Sequence, residues 1–149
     1  MNIIRPAIKK DIPRLAEIEV FNYRLNFYPI FKDDRYYFDD LNVYTVAERY
    51  HSDDLLLKNT YVYDDGAVKG FIRIDGKEIK KLFVEPVLQG NSIGSDLLTY
   101  AMQYKNVTFL WALEKNVRAV KFYQKHGFHI SCDKKYEEDT TEFLIRLEL

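Results

Sequence analysis

Several things are scarce in this sequence of 149 residues, and each scarcity excludes a class of protein. The single cysteine, Cys132, excludes an internal disulfide and is typical of a reducing compartment, which predicts a cytoplasmic protein. No apolar run approaches the roughly 18 residues of a membrane-spanning helix, and the first residues lack the charged-then-apolar layout of a secretory signal. A net charge of −1 provides no basic face for nucleic acid. We therefore expect neither a membrane nor a nucleic acid among the partners.

The composition is that of an ordinary globular protein, with 47% hydrophobic and 30% charged residues. A chain of this length can bury a full core, and the sequence contains no repeat, low-complexity tract or linker. We therefore expect one domain over residues 1–149. No set of histidines, cysteines and carboxylates has metal-ligand spacing, so no metal site is expected.

The first half of the chain has mainly helical patterns. Asn2–Pro6 predicts a short extended segment. Asp11 is a typical helix cap, and Pro13 in the first turn loses no hydrogen bond there. Apolar residues then recur every three or four positions and predict a helix that ends before Pro29. These apolar residues are Ile12, Leu15, Ile18, Phe21 and Leu25. A second, shorter helix is predicted around Leu41–Arg49.

From Thr60 onward the pattern changes to one that predicts strands. Asp65-Gly66 and Asp75-Gly76 are typical turns between the strands of a hairpin. The predicted elements are the strands Thr60–Tyr63, Ala67–Ile74 and Glu78–Val84, the helix Ser92–Tyr104, the strand Thr108–Leu113, the helix Asn116–His126, and a final hairpin of Phe128–Lys135 and Thr141–Glu148. This order predicts an α/β fold, a mixed sheet with helices on both faces.

The loop after the third of these strands carries the first functional signal. The strand ends at Pro86, and the short loop Gln89–Gly94 opens directly into an amphipathic helix. Small residues at a helix N-terminus leave several backbone N–H groups unpaired at the positive end of the helix dipole. Phosphate is the anion that suits such a terminus best. The sequence therefore predicts that the chain binds a phosphorylated cofactor.

A second segment makes this loop more specific. The loop lacks the Gly-Lys-Ser/Thr of a P-loop and the glycine spacing of a Rossmann fold. About 25 residues further on, Asn116–Phe128 has the sequence NVRAVKFYQKHGF. Val84–Gly94, which has the sequence VEPVLQGNSIG, together with this segment resembles the GNAT-type N-acetyltransferases. Members of that family transfer an acetyl group from acetyl-CoA to an amine.

The resemblance implies a fold, a cofactor and the residues that bind it. The fold is a central, mostly antiparallel sheet that splays open between two central strands, with helices on both faces. The cofactor is acetyl-CoA, whose pyrophosphate accepts from the loop amides and whose pantetheine arm lies along the backbone of Leu82–Val84. The implied cofactor-binding residues are Leu82, Phe83, Val84, Gln89, Gly90, Asn91, Ser92, Ile93, Gly94, Ser95, Asn116, Ala119, Phe122, Tyr123 and Lys125.

These positions also have plainer interpretations. Taken alone, the loop is an ordinary strand-to-helix turn, and the strand residues are core side chains. Asn116 is a common helix cap, and it can cap the helix and bind the cofactor at once. Ser92 stands where the family most often has glycine, so its side chain crowds the closest approach to phosphate. Because serine keeps the N–H group and its hydroxyl can donate to a phosphate oxygen, we expect a modest retuning of the loop rather than a loss of cofactor binding, and the sequence leaves the size of this effect open.

Two residues are implied to be catalytic. Tyr123 is the family's usual general acid, which gives a proton or hydrogen bond to the departing thiolate, and the alternative is aromatic packing beside Phe122. In some members a glutamate at the position of Glu78 is the base, because an amine that is protonated at pH 7 must lose a proton. A water chain is the alternative base, and Glu78 is equally well a solvated hairpin residue. Glu85 ranks behind Glu78 because Pro86 limits the strand there.

The acceptor site is expected at the first two helices, as it is in this family. The region from Tyr23 to Tyr44 interleaves aromatic residues with aspartates, a combination that suits a cation. Tyr28, Phe31 and Tyr37 are the implied acceptor-binding residues. At least half of these aromatic residues are also explained as core. The sequence leaves open which small-molecule or peptide amine is the acceptor: a polyamine, an amino sugar or a lysine side chain.

The remaining expectations concern two side chains, the assembly and the rival functions. His126 is expected at the surface, and Cys132 is expected to be buried in its strand. Homodimers are common in this fold, and the final hairpin offers a free sheet edge. One alternative function is a non-catalytic sensor that binds acyl-CoA, and another is a nucleotide-phosphate binder of a different fold.

Overall fold

The computed structural model describes residues 3–149, so Asn2 of the predicted extended segment lies outside the described residues. A short 3-10 turn precedes the first helix, and a π-helical turn spans Tyr36–Asp40. Between residues 3 and 149, no helix combines the length and apolar character needed to cross a bilayer. The strands and helices are β1 (Ile4–Pro6), α1 (Ile12–Asn26), α2 (Tyr28–Phe31), α3 (Val43–Ser52), α4 (Asp54–Lys58), β2 (Thr60–Asp64), β3 (Val68–Asp75), β4 (Glu78–Val84), α5 (Ile93–Tyr104), β5 (Phe109–Leu113), α6 (Val117–Lys125), β6 (His129–Tyr136) and β7 (Phe143–Glu148).

The strands of the described residues form one seven-stranded sheet in the order β1-β2-β3-β4-β5-β7-β6. Neighbouring strands are antiparallel, except for β4 and β5. These two run parallel because the crossover helix α5 connects them. The prediction of a mixed, mostly antiparallel sheet is therefore confirmed.

The parallel pair β4 and β5 is joined at one end only. Residues 78–79 pair with residues 109–110, and the pairing then ends. β4 continues against β3 as far as Val84, and β5 continues against β7 as far as Leu113. The two central strands therefore part, and the sheet opens toward their carboxyl ends.

Each face of the sheet has its own apolar core, which confirms helices on both faces. α5 and α6 cover one face, where Leu97 is fully buried. α1 and α3 cover the other face, where Leu15 and Val46 are buried. Gly70 of β3 lets α5 approach closely, because a Cβ there would come within 3.2 Å of the Ile93 side chain and 3.0 Å of a backbone carbonyl on β4.

Two local predictions are wrong because tertiary contacts override the local signals. Asp11 does not cap α1, since its carboxylate accepts from Arg5 at 2.8 Å and from the N–H of Ile8 at 2.9 Å. Cys132 is exposed, since it lies on β6, the outer strand of the sheet.

The segment between α1 and β2 is more helical than the sequence indicated. The predicted second helix begins at Val43 rather than at Leu41, because Asn42 caps it by accepting from the N–H of Thr45 at 2.8 Å. The helices α2 and α4 and the π-helical turn were not predicted. Runs shorter than about two turns carry too little periodicity to be recognised.

A buried ion pair joins α1 to the sheet. Glu19 of α1 and Arg73 of β3 approach to 3.2 Å, and their side chains are 4% and 8% exposed. The Tyr50 phenol of α3 donates to Glu19 at 3.0 Å and also contacts the guanidinium of Arg73. Thr60 of β2 accepts from Nε of Arg73 at 3.3 Å. One polar network therefore holds α1, α3, β2 and β3 together.

Arg73→Met removes the cation and leaves the Glu19 carboxylate buried without its partner. Breaking a buried pair from one side costs about 3–5 kcal/mol, so we expect the free energy of unfolding to fall by that amount in a urea titration. Lys134→Met breaks the exposed Lys134–Glu114 pair and is the matched control, with an expected loss below about 1 kcal/mol. Equal losses in the two variants would contradict this role for the network.

Candidate active site

The gap between β4 and β5 opens into a cleft of about 1000 Å³. One side of the cleft is formed by β4, the loop before α5, β5 and α6. The other side is formed by the last turns of α1 and the segment that follows them, and the β6–β7 loop also contributes. The cleft therefore contains both the loop that was predicted to bind phosphate and the aromatic region that was predicted to bind the acceptor.

The loop before α5 presents a row of free backbone donors. Across the described residues, none of the six N–H groups of residues 90–95 donates to a protein acceptor, and the first helical hydrogen bond runs from the N–H of Asp96 to the Ser92 carbonyl at 2.9 Å. Gly90 has a φ of 88° and Ser92 a φ of 67°, and these values turn the chain sharply into the helix. Unpaired N–H groups at a helix N-terminus bind anions, so this row fits a pyrophosphate.

Ser92 adopts a backbone conformation that favours glycine. Its φ of 67° lies in the left-handed region, where a residue with a Cβ costs about 1–2 kcal/mol. Its hydroxyl does not cap α5. A serine at this position therefore keeps the backbone N–H group that a glycine would offer, but its backbone conformation is strained, whereas that of a glycine would not be.

The open edge of β4 offers further backbone groups to the cleft. The N–H of Glu85 donates to the carbonyl of Lys69 on β3 at 2.9 Å. Backbone groups alternate in direction along an antiparallel strand, so Leu82 and Val84 direct theirs away from β3 and toward the gap. The N–H of Val84 is thus available to a ligand at the point where the sheet opens.

Asn22 of α1 is a site residue that the sequence analysis missed. It is 1% exposed, and its amide donates at 2.8 Å to the carbonyls of both Ile18 and Val84. The side chain of Gln89 in turn donates to Oδ1 of Asn22 at 3.1 Å. These two amides hold the end of β4 against α1. The available sequence signal was a polar residue within the apolar stripe of the helix, four positions after Ile18.

Asn116 and Tyr123 of the last helix both line the cleft. Oδ1 of Asn116 accepts from the N–H of Ala119 at 3.4 Å, so Asn116 caps the helix as expected. The proposed contact of Asn116 with the cofactor is compatible with this cap. The ring of Tyr123 packs against Phe122 and Phe128, with centroids 5.2 and 5.7 Å away. Burial raises the pKa of the Tyr123 phenol above its ordinary value, so the phenol stays protonated at neutral pH.

His126 connects the two sequence segments that carry the resemblance. Its Nδ1 lies 2.8 Å from the carbonyl of Phe122, and its Nε2 lies 3.0 Å from Oγ of Ser95 at the start of α5. Its ring also stacks on Phe122 with the centroids 4.6 Å apart. The prediction of a plain surface residue is therefore wrong, since the half-buried imidazole fixes the start of α5 relative to α6.

Glu78 lies outside the cleft. It stands at the closed end of the gap, where β4 still pairs with β5, and its carboxylate is 3.3 Å from Nζ of Lys80. Six positions along a strand span about 20 Å, so Glu78 does not reach an amine held beside Val84. Glu85, the second candidate base, is paired with Arg14 at 3.2 Å. The geometry therefore brings neither glutamate to the position of a base.

Three of the predicted binding residues are placed differently from what the sequence analysis expected. Neither Asn91 nor Tyr28 lines the cleft. The side chain of Asn91 donates to a backbone carbonyl of its own loop at 3.0 Å, and the Tyr28 phenol donates to the carboxylate of Asp34. Gln89 does line it, but its N–H is already donated within the preceding turn at 3.3 Å. The predicted cofactor-binding residues that line the cleft are Leu82, Phe83, Val84, Gln89, Gly90, Ser92, Ile93, Gly94, Ser95, Asn116, Ala119, Phe122, Tyr123 and Lys125.

Two of the three predicted acceptor-binding residues line the cleft on the side of α1. The rings of Phe31 and Tyr37 are stacked with centroids 6.4 Å apart. Burial raises the pKa of the Tyr37 phenol to about 12. Carboxylates from two elements line the same region, Asp33 after α2 and Glu137–Asp139 between β6 and β7. This end of the cleft therefore combines aromatic faces with negative charge.

Ser92→Gly removes the strain at the start of α5. Relief of the left-handed conformation outweighs the extra freedom that glycine gives the unfolded chain, so we expect the free energy of unfolding to rise by up to about 1 kcal/mol. Ser92→Ala keeps the Cβ and removes the hydroxyl, and it is the matched control with no gain expected. A destabilised Ser92→Gly variant in urea titrations would show that the backbone is not strained there.

A protein-family model described as an acetyltransferase (GNAT) domain matches residues 57–130, about half of the chain. The peptidyl-lysine N-acetyltransferase YiaC of Escherichia coli strain K12 is 35% identical over 78 residues, which are 52% of this chain and 53% of that protein. The chain thus spans about half the length of the curated relatives it matches.

Solved structures share the fold over nearly the whole chain. An N-acetyltransferase from Staphylococcus aureus Mu50 gives a TM-score of 0.77 at 15% identity, covering 99% of this chain and 100% of that one. The PaiA N-acetyltransferase of Thermoplasma acidophilum, solved in complex with coenzyme A, gives a TM-score of 0.67 at 20% identity, covering 98% of both chains. At these identities the likeness concerns the fold alone. The family model covers the loop before α5 and the whole of α6, and this chain therefore belongs to the GNAT acetyltransferase family.

Proposed function

We propose that this chain is an N-acetyltransferase that moves an acetyl group from acetyl-CoA to an amine. The observation that carries the proposal is a single cleft that is lined by Gly90 and residues 92–95, whose N–H groups are free, and by Tyr123 with its protonated phenol. The relative YiaC is named a peptidyl-lysine N-acetyltransferase, and the PaiA enzyme was solved with coenzyme A. Both support the same activity for this chain.

The residues of the cleft fit the parts of acetyl-CoA. The N–H groups of residues 90–95 hold the pyrophosphate. Leu82 and Val84 lend backbone groups to the pantetheine arm, in the way that an extra strand binds to a sheet edge. Arg118 and Lys125 line the same cleft and supply positive charge for the phosphates.

Bound acetyl-CoA supplies an activated thioester, whose carbonyl oxygen gains negative charge when an amine attacks. The N–H of Val84 stabilises that charge by donating a hydrogen bond from a fixed direction. Asn22 keeps that direction fixed, because it binds the Val84 carbonyl at 2.8 Å. Tyr123 donates to the departing sulfur as general acid.

The raised pKa of Tyr123 suits it to this role. Burial disfavours the phenolate, so the pKa of the phenol lies above its ordinary value of about 10. The proton is therefore retained throughout the physiological range and is lost only at higher pH. Titration of Tyr123 consequently does not lower the activity at any pH below about 10.

The acceptor that the cleft suits best is a lysine side chain. Asp33 and Glu137–Asp139 attract an ammonium group, and the rings of Phe31 and Tyr37 contact its aliphatic stem. The name of the relative YiaC supports the same substrate class.

The one sheet carries both cores and the cleft, which supports a single domain over residues 1–149. A homodimer through the free edge of β6 stays a prediction.

Tyr123→Phe tests the role of the phenol. Removing the hydroxyl takes the proton away from the departing sulfur, so we expect kcat to fall about 100-fold or more. The assay is thiol release from acetyl-CoA with an N-blocked lysine peptide. The affinity for acetyl-CoA, measured by calorimetry, should stay within about twofold, since the proposed binding contacts are made mainly by the backbone.

Tyr104→Phe is the matched control, because Tyr104 is 68% exposed on α5 and does not line the cleft. It should leave both kcat and affinity unchanged. Full activity of Tyr123→Phe would remove the phenol from the mechanism. A calorimetric trace without heat for acetyl-CoA would contradict the proposed function, and binding without turnover over a panel of amines would support a non-catalytic sensor instead.

A further inference from the structure

Lys81 of β4 is a cleft residue without a role so far. It precedes Val84 by three positions and lines the cleft on the side of α1. Its Nζ lies 4.9 Å from the centroid of the Tyr23 ring and 5.9 Å from that of Phe83. The amine thus lies over two aromatic rings that line the same cleft.

The side chain of Lys81 has no polar partner among residues 3–149. The next residue before it, Lys80, forms an ion pair with Glu78 at 3.3 Å, whereas the amine of Lys81 forms neither an ion pair nor a hydrogen bond and contacts only aromatic rings. Glu19 is the acidic residue with the largest influence on it, but that carboxylate already binds Arg73 and Tyr50. The Lys81 amine is therefore free to meet a ligand.

The surroundings of Lys81 shift its amine toward the uncharged form. Burial lowers the pKa of Lys81 below its ordinary value, and this effect outweighs the opposing attraction of Glu19. The titratable and charged groups that face Lys81 are Tyr23 and Glu19 from α1, Arg73 from β3, Arg49 from α3 and Glu137 from the β6–β7 loop.

The proposed reaction needs a proton acceptor, and the cleft offers few. An ammonium group must lose a proton before it can attack, because its lone pair is otherwise occupied. Glu78 and Glu85 lie outside the cleft. Tyr37 and Tyr123 have raised pKa values, so both hold their protons at neutral pH. The carboxylates that line the cleft belong to loops, whereas Lys81 belongs to the strand that carries Val84.

We propose that Lys81 is the general base that takes the proton from the acceptor ammonium, directly or through one water. The N–H bond of the ammonium breaks, and its electron pair stays on the acceptor nitrogen as the lone pair that attacks. The proton forms a new N–H bond at Nζ of Lys81, which becomes an ammonium and later releases the proton to solvent. This role rests on the proposed acetyltransferase function. Asp33 and Glu137–Asp139 then attract the cation that Lys81 deprotonates.

Two substitutions separate a base from a fixed positive charge. Lys81→Met removes the amine, and Lys81→Arg keeps a cation that cannot accept a proton. We expect both variants to lose about 100-fold or more in kcat with acetyl-CoA and the N-blocked lysine peptide. Lys77→Met, an exposed lysine in the turn before β4, is the matched control with unchanged kcat. Calorimetry with acetyl-CoA verifies that each variant is folded and binds the donor.

The dependence of kcat on pH provides a second readout. Lys81 accepts a proton only in its neutral form, so kcat should rise as pH increases through its lowered pKa and then level off. This rise should disappear in Lys81→Met. A weakly basic aromatic amine, which is already neutral at pH 7, should lose far less activity than the lysine peptide when Lys81 is replaced.

A direct titration needs no turnover. Nuclear magnetic resonance of ¹³Cε- and ¹⁵Nζ-labelled lysine should show Lys81 losing its proton at a lower pH than an ordinary lysine. An ordinary pKa for Lys81, or Lys81→Arg at wild-type kcat, would overturn the base assignment while the acetyltransferase function stands. A wild-type protein that binds acetyl-CoA but acetylates no amine would overturn both.

Discussion

The separation of β4 from β5 is the constraint on which the site depends. The two strands share one short paired region at residues 78–79, and each then follows a different antiparallel neighbour. The backbone groups of β4 beyond that point have no strand partner on one side. A ligand can therefore satisfy them, and the same gap lets α1 and α6 line a common cleft from opposite faces of the sheet. The proposed binding and catalytic groups lie in one cleft because the sheet is incomplete.

The row of free N–H groups at the start of α5 was predictable from the sequence. Gly90 and the residues after it are typical of a turn into a helix. The donors at such a turn are backbone N–H groups, so their presence does not depend on the identity of the side chains. The segment Asn116–Phe128 then identified the family, and the alternation of residues 60–84 placed the strands. The predictions of the turn, the strands and the family succeeded because each relied on a local pattern of turn, period or motif. The order of the elements followed from the same patterns.

The acceptor side depended on contacts between distant parts of the chain, which no local pattern reports. In the sequence, Asn22 is only a polar residue within the apolar stripe of a helix. In the structure β4 lies beside it, and its amide donates to the Val84 carbonyl. Glu78 matched a family position, but the closed end of the sheet keeps it from the cleft. Lys80 and Lys81 are adjacent in the sequence. Only the placement of β4 against α1 shows that Lys81 is the one whose side chain contacts that helix. Sequence reasoning therefore found the donor site more readily than the acceptor site.

The central claim is that backbone amides at the start of α5 bind the donor in the gap between β4 and β5. Amide resonances in ¹⁵N-labelled protein, followed during a titration with acetyl-CoA, test it most directly. The account predicts that the signals of residues 90–95 and of Val84 shift together and saturate at one stoichiometry. Shifts confined to other surfaces, or no shifts at all, would contradict the account.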